Sequence, residues 1–207
     1  MKRISGDGVR VAQPLFPVEG QGSIPMSPLQ LNIIEIGILE ACGLNKLWHS
    51  RVPIITNPYS KNRIAFGAEF KGIWYAVALW TDPIARGFNH RGYLELRRMA
   101  IAPDSPKYTA SRMIKIMALL IKRAFPHINK LISYQDTGVH TGTIYRASGW
   151  DIGGIKANIG TGWNTRLRNK MQTASDKIRW EKQIRPEPEQ IDRVVKCEDK
   201  QMELFAQ

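Results

Sequence analysis

Residues 93–150 read YLELRRMAIAPDSPKYTASRMIKIMALLIKRAFPHINKLISYQDTGVHTGTIYRASGW, and this stretch decides the fold. Alternating apolar and polar side chains predict a β-strand from Tyr93 to Ala102. Apolar residues at spacings of three and four then predict an amphipathic helix over Ser111–Ala124, which a proline ends. Residues 131–134 form a second short strand that delivers Gln135 and Asp136 into a glycine-containing turn. This order is typical of α/β sheets, which bind ligands at the carboxyl ends of their strands.

Shorter patterns lie on both sides of this stretch. Alternating Leu29, Leu31 and Ile33 predict a first strand, and the spacing of apolar residues predicts a helix from Ile34 to Leu47. Residues 64–70 and 73–80 surround a Lys-Gly turn, which predicts a β-hairpin. Residues 151–162 contain four glycines and are predicted to be a loop, and residues 177–181 are predicted to be a last strand.

Composition divides the chain of 207 residues into three parts. Residues 1–27 are rich in Gly, Pro, Ser and Gln and are predicted to be an irregular arm, residues 28–185 a single α/β domain, and residues 186–207 an acidic tail. No apolar run approaches the length of a membrane span, and the basic N-terminus is followed by no apolar segment of a secretory signal. With two distant cysteines, these features predict a cytoplasmic protein without a membrane partner.

Charge is distributed unevenly along the chain. The whole chain carries a formal net charge of +12, but residues 1–185 hold 27 Lys and Arg against 12 Asp and Glu, whereas residues 186–207 hold three against six. A basic body attracts polyanions, of which nucleic acid is the commonest in a cytoplasm. The alternative is a solvated basic surface with no dedicated partner.

Polar residues with acid–base or ligand chemistry cluster after the second strand of the opening stretch: Asp136, His140, Thr141, Thr143 and Tyr145. A carboxylate, an imidazole and a phenol close together suit general acid–base catalysis or metal binding, because burial and mutual charge can move their pKa values. In the alternative interpretation, Asp136 caps the next helical turn and His140 makes an ordinary hydrogen bond.

The turn before the predicted helix of residues 111–124 is a candidate anion site. The first N–H groups of a helix are unpaired, so Thr109, Ala110, Ser111 and Arg112 could hold an anion with backbone amides and the helix dipole. Ser111 could equally be the N-cap of that helix.

Two groups of basic residues are candidates for contact with substrate or DNA. Arg97 and Arg98 are adjacent on a predicted strand, so they should point to opposite faces, and one of them should meet solvent or a neighbour such as Glu95. The other group interleaves basic and aromatic residues, which suits phosphate contact and base stacking, although a tryptophan there could instead fill the core. Its members are Trp163, Arg166, Arg168, Lys170, Lys177, Arg179 and Trp180.

The strings ELRRMAI, SRM and SYQDTGVHTGTIYRASGW resemble the Mom family of phage DNA-modification proteins, which belongs to the GCN5-related acyltransferase (GNAT) superfamily. The resemblance covers His49 to Trp180. It implies an α/β fold with a central mixed, mostly antiparallel sheet flanked by helices. It also implies an enzyme that adds a carbamoylmethyl group to adenine N6 in DNA and so protects phage DNA from restriction. The partner would be double-stranded DNA with a flipped adenine, or single-stranded DNA. A homodimer is a further expectation.

The resemblance also assigns roles to residues. It implies a catalytic set of His49, Ser111, Asp136 and Tyr145, with an arginine of ELRR. It implies an acetyl-CoA, other acyl or glycyl donor on Ala110, Ser111, Arg112 and Met113, and iron on His49, Asp136 and Tyr145. Candidate substrate or DNA contacts are Arg97, Arg98, His140, Arg166, Arg168, Lys170, Lys177 and Arg179.

Two departures from the family pattern bear on these roles. Ser50 follows His49 where a tyrosine is common, so one implied iron ligand is missing. The turn from Lys107 to Arg112 lacks the glycines that let backbone amides approach a pyrophosphate. A conventional N-acetyltransferase and a non-catalytic DNA-binding protein on the same fold are therefore the alternative functions.

Overall fold

The computed structural model describes residues 24–49, 60–85, 88, 92–156 and 176–186. Its seven strands are β1 (Asn32–Ile36), β2 (Arg63–Phe70), β3 (Ile73–Thr81), β4 (Tyr93–Ile101), β5 (Lys130–Asp136), β6 (Asp151–Lys156) and β7 (Lys177–Gln183). They form one sheet in the order β1-β2-β3-β4-β5-β7-β6. Neighbouring strands run antiparallel except β4 and β5, which run parallel. The sheet is therefore mixed and mostly antiparallel, and it includes the predicted hairpin and the predicted last strand.

Helices cover both sides of this sheet: α1 (Ile38–Trp48) on one side, and α2 (Thr109–Ala124) with α3 (Thr143–Ala147) on the other. On the α1 side, the apolar cluster includes Ala41, Leu79 and Ala100. On the α2 side, the larger cluster includes Trp80 and Met117. Covering on both sides buries the centre of the sheet. None of the helices in the described part of the chain is long and apolar enough to cross a membrane.

The beginning of the sheet differs from the prediction in two respects. Residues Pro28–Gln30 form a short 3₁₀ helix rather than the start of a strand, because Ser27 and Gln30 cap it reciprocally. The helix predicted from Ile34 begins at Ile38 instead. Ile33 packs on the α2 side and Ile34 on the α1 side, and this alternation is that of a strand.

The four glycines of residues 151–162 predict a loop, but this prediction is wrong for residues Asp151–Lys156, which form the edge strand β6. The strand pairs antiparallel with β7, and its register shifts between Ile152 and Gly154. A Cβ on Gly153 would lie 2.2 Å from the carboxyl carbon of Glu181. The glycine therefore makes room for a side chain of the neighbouring strand. Residues 157–162 of the predicted loop lie outside the described residues.

The helix α2 begins at Thr109, two residues before the predicted start. Tyr108 is its N-cap and adopts a left-handed backbone conformation, with φ 68° and ψ 5°. Ser111 lies inside the helix and its hydroxyl donates to the Tyr108 carbonyl at 3.1 Å. The alternative that Ser111 is the N-cap is therefore wrong. The following strand β5 is longer than predicted and includes Gln135 and Asp136.

Candidate functional site

The parallel strands β4 and β5 separate towards their carboxyl ends. Their pairing runs only from Tyr93 opposite Lys130 to Leu96 opposite Ser133. Beyond these residues β4 stays paired with β3, and β5 stays paired with β7. The sheet therefore has a wedge-shaped opening that begins between Arg97 and Tyr134.

A β-bulge in β4 marks the start of this opening. Leu79 of β3 is opposite Arg98, and Trp80 is opposite Leu96, so Arg97 has no partner on β3. In a regular strand Arg98 would face the same side as Leu96, which packs on the α2 side. The extra residue instead places Arg98 opposite Leu79, on the α1 side.

The bulge also changes the expectation for the two arginines. The Arg97 Nη1 atom donates to the Glu95 carboxylate at 2.7 Å. Glu95 lies between Leu94 and Leu96, which both pack on the α2 side, so Glu95 faces the α1 side. Arg97, which contacts Glu95, and Arg98 therefore both lie on the α1 side. The predicted opposite orientation of the two arginines is wrong, whereas the predicted contact between an arginine and Glu95 is confirmed.

The first turn of α2 lies at the same end of the sheet as the opening, because α2 follows β4. The Arg112 N–H makes the first bond inside the helix, to the Tyr108 carbonyl at 3.1 Å. The N–H groups of Ala110 and Ser111 precede that bond and so have no acceptor within the helix. The left-handed conformation of Tyr108 is one that glycine usually supplies in such a turn. The turn therefore has the backbone form of an anion site without the glycines.

The residues predicted to hold a cofactor lie in different environments. Ala110 and Ser111 belong to the first turn. The Arg112 guanidinium instead donates to the Leu31 carbonyl at 3.0 Å and so ties α2 to the start of β1. Burial lowers the pKa of Arg112. Met113 is fully buried in the apolar core. The role of these residues in binding a donor stays a prediction.

Tyr145 lies on the α2 side of the opening. Its phenol is 2.9 Å from the Ser133 hydroxyl, which also donates to the Leu96 carbonyl at 3.2 Å. Its ring stacks on Trp180 with ring centroids 5.4 Å apart. Burial raises the pKa of Tyr145, and the hydrogen bond with Ser133 partly offsets this. Tyr145 is therefore a protonated core residue next to the point where the strands separate.

His49 lies on the α1 side, at the C-cap of α1. Burial lowers the pKa of His49, and the positive charges of Arg98 and His140 lower it further. The structure thus brings together His49, Arg98 and His140, three predicted site residues that lie far apart in the sequence. His140 itself is exposed. At neutral pH the His49 imidazole is uncharged and can accept a proton.

Two side chains near His49 carry unused hydrogen-bonding groups. Asn45 is one helical turn before His49 and is fully buried, and neither polar atom of its side chain has a hydrogen-bond partner among the described residues. The buried Nε atom of Arg98 also has none. Burial is the main cause that lowers the pKa of Arg98, followed by the charge of Arg97, while Glu95 acts in the opposite direction. Unpaired groups of this kind are costly, and a polar ligand would satisfy them.

Tyr134 and Glu95 line the candidate site but are not among the site residues predicted from the sequence. Tyr134 is the first residue of β5 beyond its pairing with β4, and it alternates with Ser133 so that it faces the α1 side. Burial raises the pKa of Tyr134, and the Glu95 carboxylate raises it further. Tyr134 could have been predicted from Asp136, because residues two apart on a strand lie on the same face. The sequence gives no comparable signal for Glu95.

Asp136 lies at the end of β5, and its Oδ1 atom accepts from the Gly138 N–H at 3.0 Å. The carboxylate therefore caps the following turn, as one of the two interpretations of the sequence predicts. Alternation along β5 places Asp136 on the α1 side, whereas Tyr145 is on the α2 side. The predicted catalytic residues thus lie on both sides of the opening, with His49 and Asp136 on one side and Ser111 and Tyr145 on the other.

These positions do not fit the iron site that the resemblance implies. The Tyr145 oxygen is engaged with Ser133 in the core. Within residues 24–49, 60–85, 88, 92–156 and 176–186, no three His, Cys, Asp or Glu side chains form a group that could hold a metal ion. The assignment of iron to His49, Asp136 and Tyr145 is therefore not supported.

Of the basic residues predicted to contact DNA from Arg166 onward, the structure describes only Lys177 and Arg179. The Arg179 Nε atom is 2.7 Å from the Glu181 carboxylate, and its guanidinium lies 4.9 Å from the centre of the Phe88 ring. Lys177 is opposite Asp136 in the sheet. Arg166, Arg168 and Lys170 lie outside the described residues. DNA contact by these side chains stays a prediction.

Solved structures with the same architecture define the fold class of this chain. The ribosomal-protein-S18-alanine N-acetyltransferase from Escherichia coli is 14% identical, with a TM-score of 0.52 over 78% of this chain and 98% of that chain. A Bacillus subtilis acetyltransferase in complex with CoA is 13% identical, with a TM-score of 0.53 over 74% of this chain and 98% of that chain. An N-acetyltransferase from Staphylococcus aureus Mu50 is 15% identical, with a TM-score of 0.52 over 74% and 97%. The chain therefore has the GNAT acetyltransferase fold.

The family follows from the sequence match. The Mom protein family matches residues 68–203, which is more than half of the chain. The chain belongs to the Mom protein family, as its motifs indicate. No curated protein sequence matches the chain significantly. The matched range contains the opening, α2 and β5, and it begins after His49.

Proposed function

We propose that this protein is a DNA-modification enzyme that adds a carbamoylmethyl-type group to adenine N6 and so protects phage or prophage DNA from restriction. The observation that carries the proposal is the opening between β4 and β5 at the first turn of α2, in a chain of the Mom protein family. The net charge of +12 supports a polyanionic substrate.

The donor end of the site is the first turn of α2. The amides of Ala110 and Ser111 and the helix dipole suit the phosphate of an acyl-CoA donor. The Bacillus subtilis acetyltransferase of the same fold is in complex with CoA. An acyl carrier that lies in the opening would bring its reactive carbon towards Tyr134, at the point where the strands separate.

The adenine would approach from the α1 side. A base in a duplex must leave the stack before its N6 can react. N6 loses a proton when it forms a new bond, and neutral His49 is a base on that side. Tyr134 remains protonated because its pKa is raised, so it can donate a hydrogen bond to the carbonyl oxygen of the donor.

A glycyl donor would reconcile acyl transfer with a carbamoylmethyl product. N6 attacks the glycyl carbonyl, the leaving group of the donor departs with its electron pair, and a base removes the N6 proton. The glycyl amine can then attack adenine C6, and the original N6 leaves C6 as the nitrogen of a primary amide. The result is an isomer of the first product, and the conversion needs no oxidant or reductant.

Mass spectrometry of nucleosides tests this function. DNA from cells that express the protein should contain deoxyadenosine heavier by one glycyl residue, and Tyr134→Phe should lower its amount about 100-fold. Tyr93→Phe is the matched control, because it removes the same hydroxyl group from the other end of β4, where β4 and β5 are still paired. Unmodified DNA from cells with soluble wild-type protein would contradict the proposal.

Two other outcomes would identify the alternative functions. Acetylation of small amines or proteins without DNA modification would indicate a conventional N-acetyltransferase. An unchanged anti-restriction phenotype in both Tyr134→Phe and Asp136→Ala would indicate a non-catalytic DNA-binding protein.

A further inference from the structure

A segment around α2 carries only positive charge. Residues 105–135 contain six Lys and Arg residues and no Asp or Glu. Its four charged helical residues are Arg112, Lys115, Lys122 and Arg123. A solvated helix of ordinary composition carries both signs on its outer face. The outer face of α2 therefore differs from a merely soluble surface.

Three of these side chains lie on one exposed strip of the helix. Lys115, Lys122 and Arg123 are exposed, and Leu119 between them is 55% exposed. Leu119, Lys122 and Arg123 follow Lys115 by four, seven and eight residues, and these spacings place all four side chains on one face of the helix. Arg112 is excluded because its guanidinium contacts Leu31. We call Lys115, Lys122 and Arg123 the helix cations.

The helix cations have no counter-charge in the part of the chain that the structure describes. Among the described residues, none of them takes part in an ion pair. Three basic residues on the sheet are different, since each of them contacts a carboxylate: Arg97 contacts Glu95, and Lys130 and Arg179 contact Glu181. We call Arg97, Lys130 and Arg179 the sheet cations. A phosphate group would compete with a carboxylate for the sheet cations, but not for the helix cations.

We infer that the outer face of α2 binds the phosphate backbone of DNA through the helix cations. Lys115 and Lys122 are about 10 Å apart along the helix axis. Three nucleotides along one strand of B-DNA rise by about the same distance. The inference rests on the proposed function for its partner, and it identifies a surface that the family resemblance did not assign.

The position of the surface suits the proposed reaction. The amino end of α2 lies at the opening of the sheet, and the helix extends for 16 residues from it. That length is about 24 Å, or roughly seven base pairs of duplex. DNA that follows α2 would therefore contact the protein on one side of the target base.

A membrane surface fits this face less well than nucleic acid does. A helix that binds at a lipid interface inserts a broad apolar face. The apolar face of α2, with Met113, Ile114, Met117, Leu120 and Ile121, is buried in the core. Leu119 is the one large apolar residue of α2 that is strongly exposed.

The test is a salt titration of DNA binding by the full chain. Fluorescence anisotropy with a labelled duplex gives the association constant over a series of KCl concentrations. The triple variant Lys115→Gln, Lys122→Gln, Arg123→Gln should reduce the slope of log K against log[KCl] by about 3. At 0.1 M KCl its affinity should fall on the order of 100-fold. The matched control neutralises three exposed lysines elsewhere: Lys46→Gln, Lys61→Gln and Lys71→Gln. It should change the slope by less than about 1.

Each result decides the inference separately from the proposed function. A triple variant with the slope of the wild type would overturn the inference, even if modified adenine is found. A wild type that binds no DNA would overturn the inference and remove the partner of the proposed function. Salt-sensitive binding through the helix cations without any modified adenine would support the inference and contradict the proposed function. If the triple variant lost binding to phosphatidylserine vesicles while its DNA binding stayed unchanged, the helix cations would form a membrane surface instead.

Discussion

The helix cations and the sheet cations are both basic groups on one small domain, but they have opposite surroundings. The sheet cations are partly buried and lie within 3.4 Å of Glu95 or Glu181. The helix cations project from α2 into solvent with no acid between residues 105 and 135. The same residue types therefore serve the fold in one region and are free for a partner in the other.

The difference shows that net charge does not locate a binding surface. A partly buried cation needs a carboxylate, because an unpaired charge in a low-dielectric site is costly. An exposed cation is hydrated and needs no partner, so it can exchange its counter-ions for phosphate groups. A count of lysines and arginines adds the partly buried, paired cations to the exposed, hydrated ones. If the partner is DNA, as proposed, the excess of positive charge that would attract it lies where the acids are missing.

Arg98 is intermediate between the two groups. It is half-buried like the sheet cations, yet among the described residues it forms no ion pair. Its Nη1 atom donates to the Arg97 carbonyl, and its Nε atom has no hydrogen-bond partner within the described part of the chain. Because it lies near His49, this unpaired charge belongs to the candidate site rather than to the packing of the sheet.

The largest effect should follow from the removal of a sheet carboxylate. Glu95→Gln leaves Arg97 without its carboxylate, and the Glu95 side chain is only 4% exposed. The free energy of unfolding should fall by about 3 kcal/mol. Urea denaturation followed by circular dichroism measures this change, with the exposed Asp104→Asn as the control. An unchanged midpoint would show that the ion pair contributes nothing to stability.

A smaller effect should follow from displacing a carboxylate without removing it. A Cβ on Gly153 would lie 2.2 Å from the Glu181 carboxyl carbon, so Gly153→Ala should push that group away from Arg179. The free energy of unfolding should fall by about 1–2 kcal/mol. Affinity for DNA should rise slightly, because Arg179 becomes available to phosphate.

Gly43→Ala is the control for this substitution, since a Cβ on Gly43 would meet no atom within 4 Å. It lies inside α1 and should stabilise the protein by about 0.5–1 kcal/mol. A similar loss of stability in both variants would contradict the role of Glu181.

The unpaired charge of Arg98 should be visible in the titration of His49. A neighbouring positive charge disfavours the imidazolium, so Arg98→Gln should raise the pKa of His49. Burial is the larger cause and remains, so the pKa should stay below that of an exposed histidine. NMR titration of the imidazole protons measures both values. In an activity profile, the loss of rate on the acid side should move to higher pH, because His49 must be neutral to act as a base.

His127 gives an internal reference in the same NMR spectrum. It is exposed and contacts Asn62 at 2.9 Å, away from Arg98. A shift of both histidines in the variant would indicate a general change of structure instead of a local charge effect.

The smallest effect on stability should come from the helix cations themselves. Their replacement by glutamine removes no ion pair, so each change should alter the free energy of unfolding by less than about 0.5 kcal/mol. The same variant is expected to lose most of its affinity for DNA. Thermal denaturation of the triple variant measures the stability. A large loss of stability would show that these side chains belong to the fold and not to a free surface.

Much of the fold could be predicted from the sequence, because its strongest patterns are local. The stretch from Tyr93 to Trp150 contains β4, α2 and β5 in the predicted order. The predicted hairpin and the last strand are also confirmed. The edge strand β6 was missed, because its glycines serve a contact with Glu181 that is distant in sequence. The start of α1 was misplaced because short apolar runs fit a strand and a helix equally well.

The candidate site was only partly predictable. Side-chain chemistry and motifs indicated His49, Ser111, Asp136 and Tyr145. Their separation onto two sides of the opening depends on where β4 and β5 stop pairing, and no residue type encodes that point. Glu95 was missed for the same reason, whereas Tyr134 could have been inferred, because it lies two residues before Asp136 on β5.

The sequence by itself determined most of the elements, the family and the excess of positive charge, because these follow from residue type and local order. Only the tertiary structure decided which charges are paired and where Arg98 points. A single extra residue in β4 moves Arg98 from the α2 side to the α1 side. Pairing partners such as Arg97 with Glu95 and Arg179 with Glu181 also depend on packing. The physical reason is that alternation along a strand fixes the side of a residue only as long as the register is known, and the register is set by contacts between distant segments.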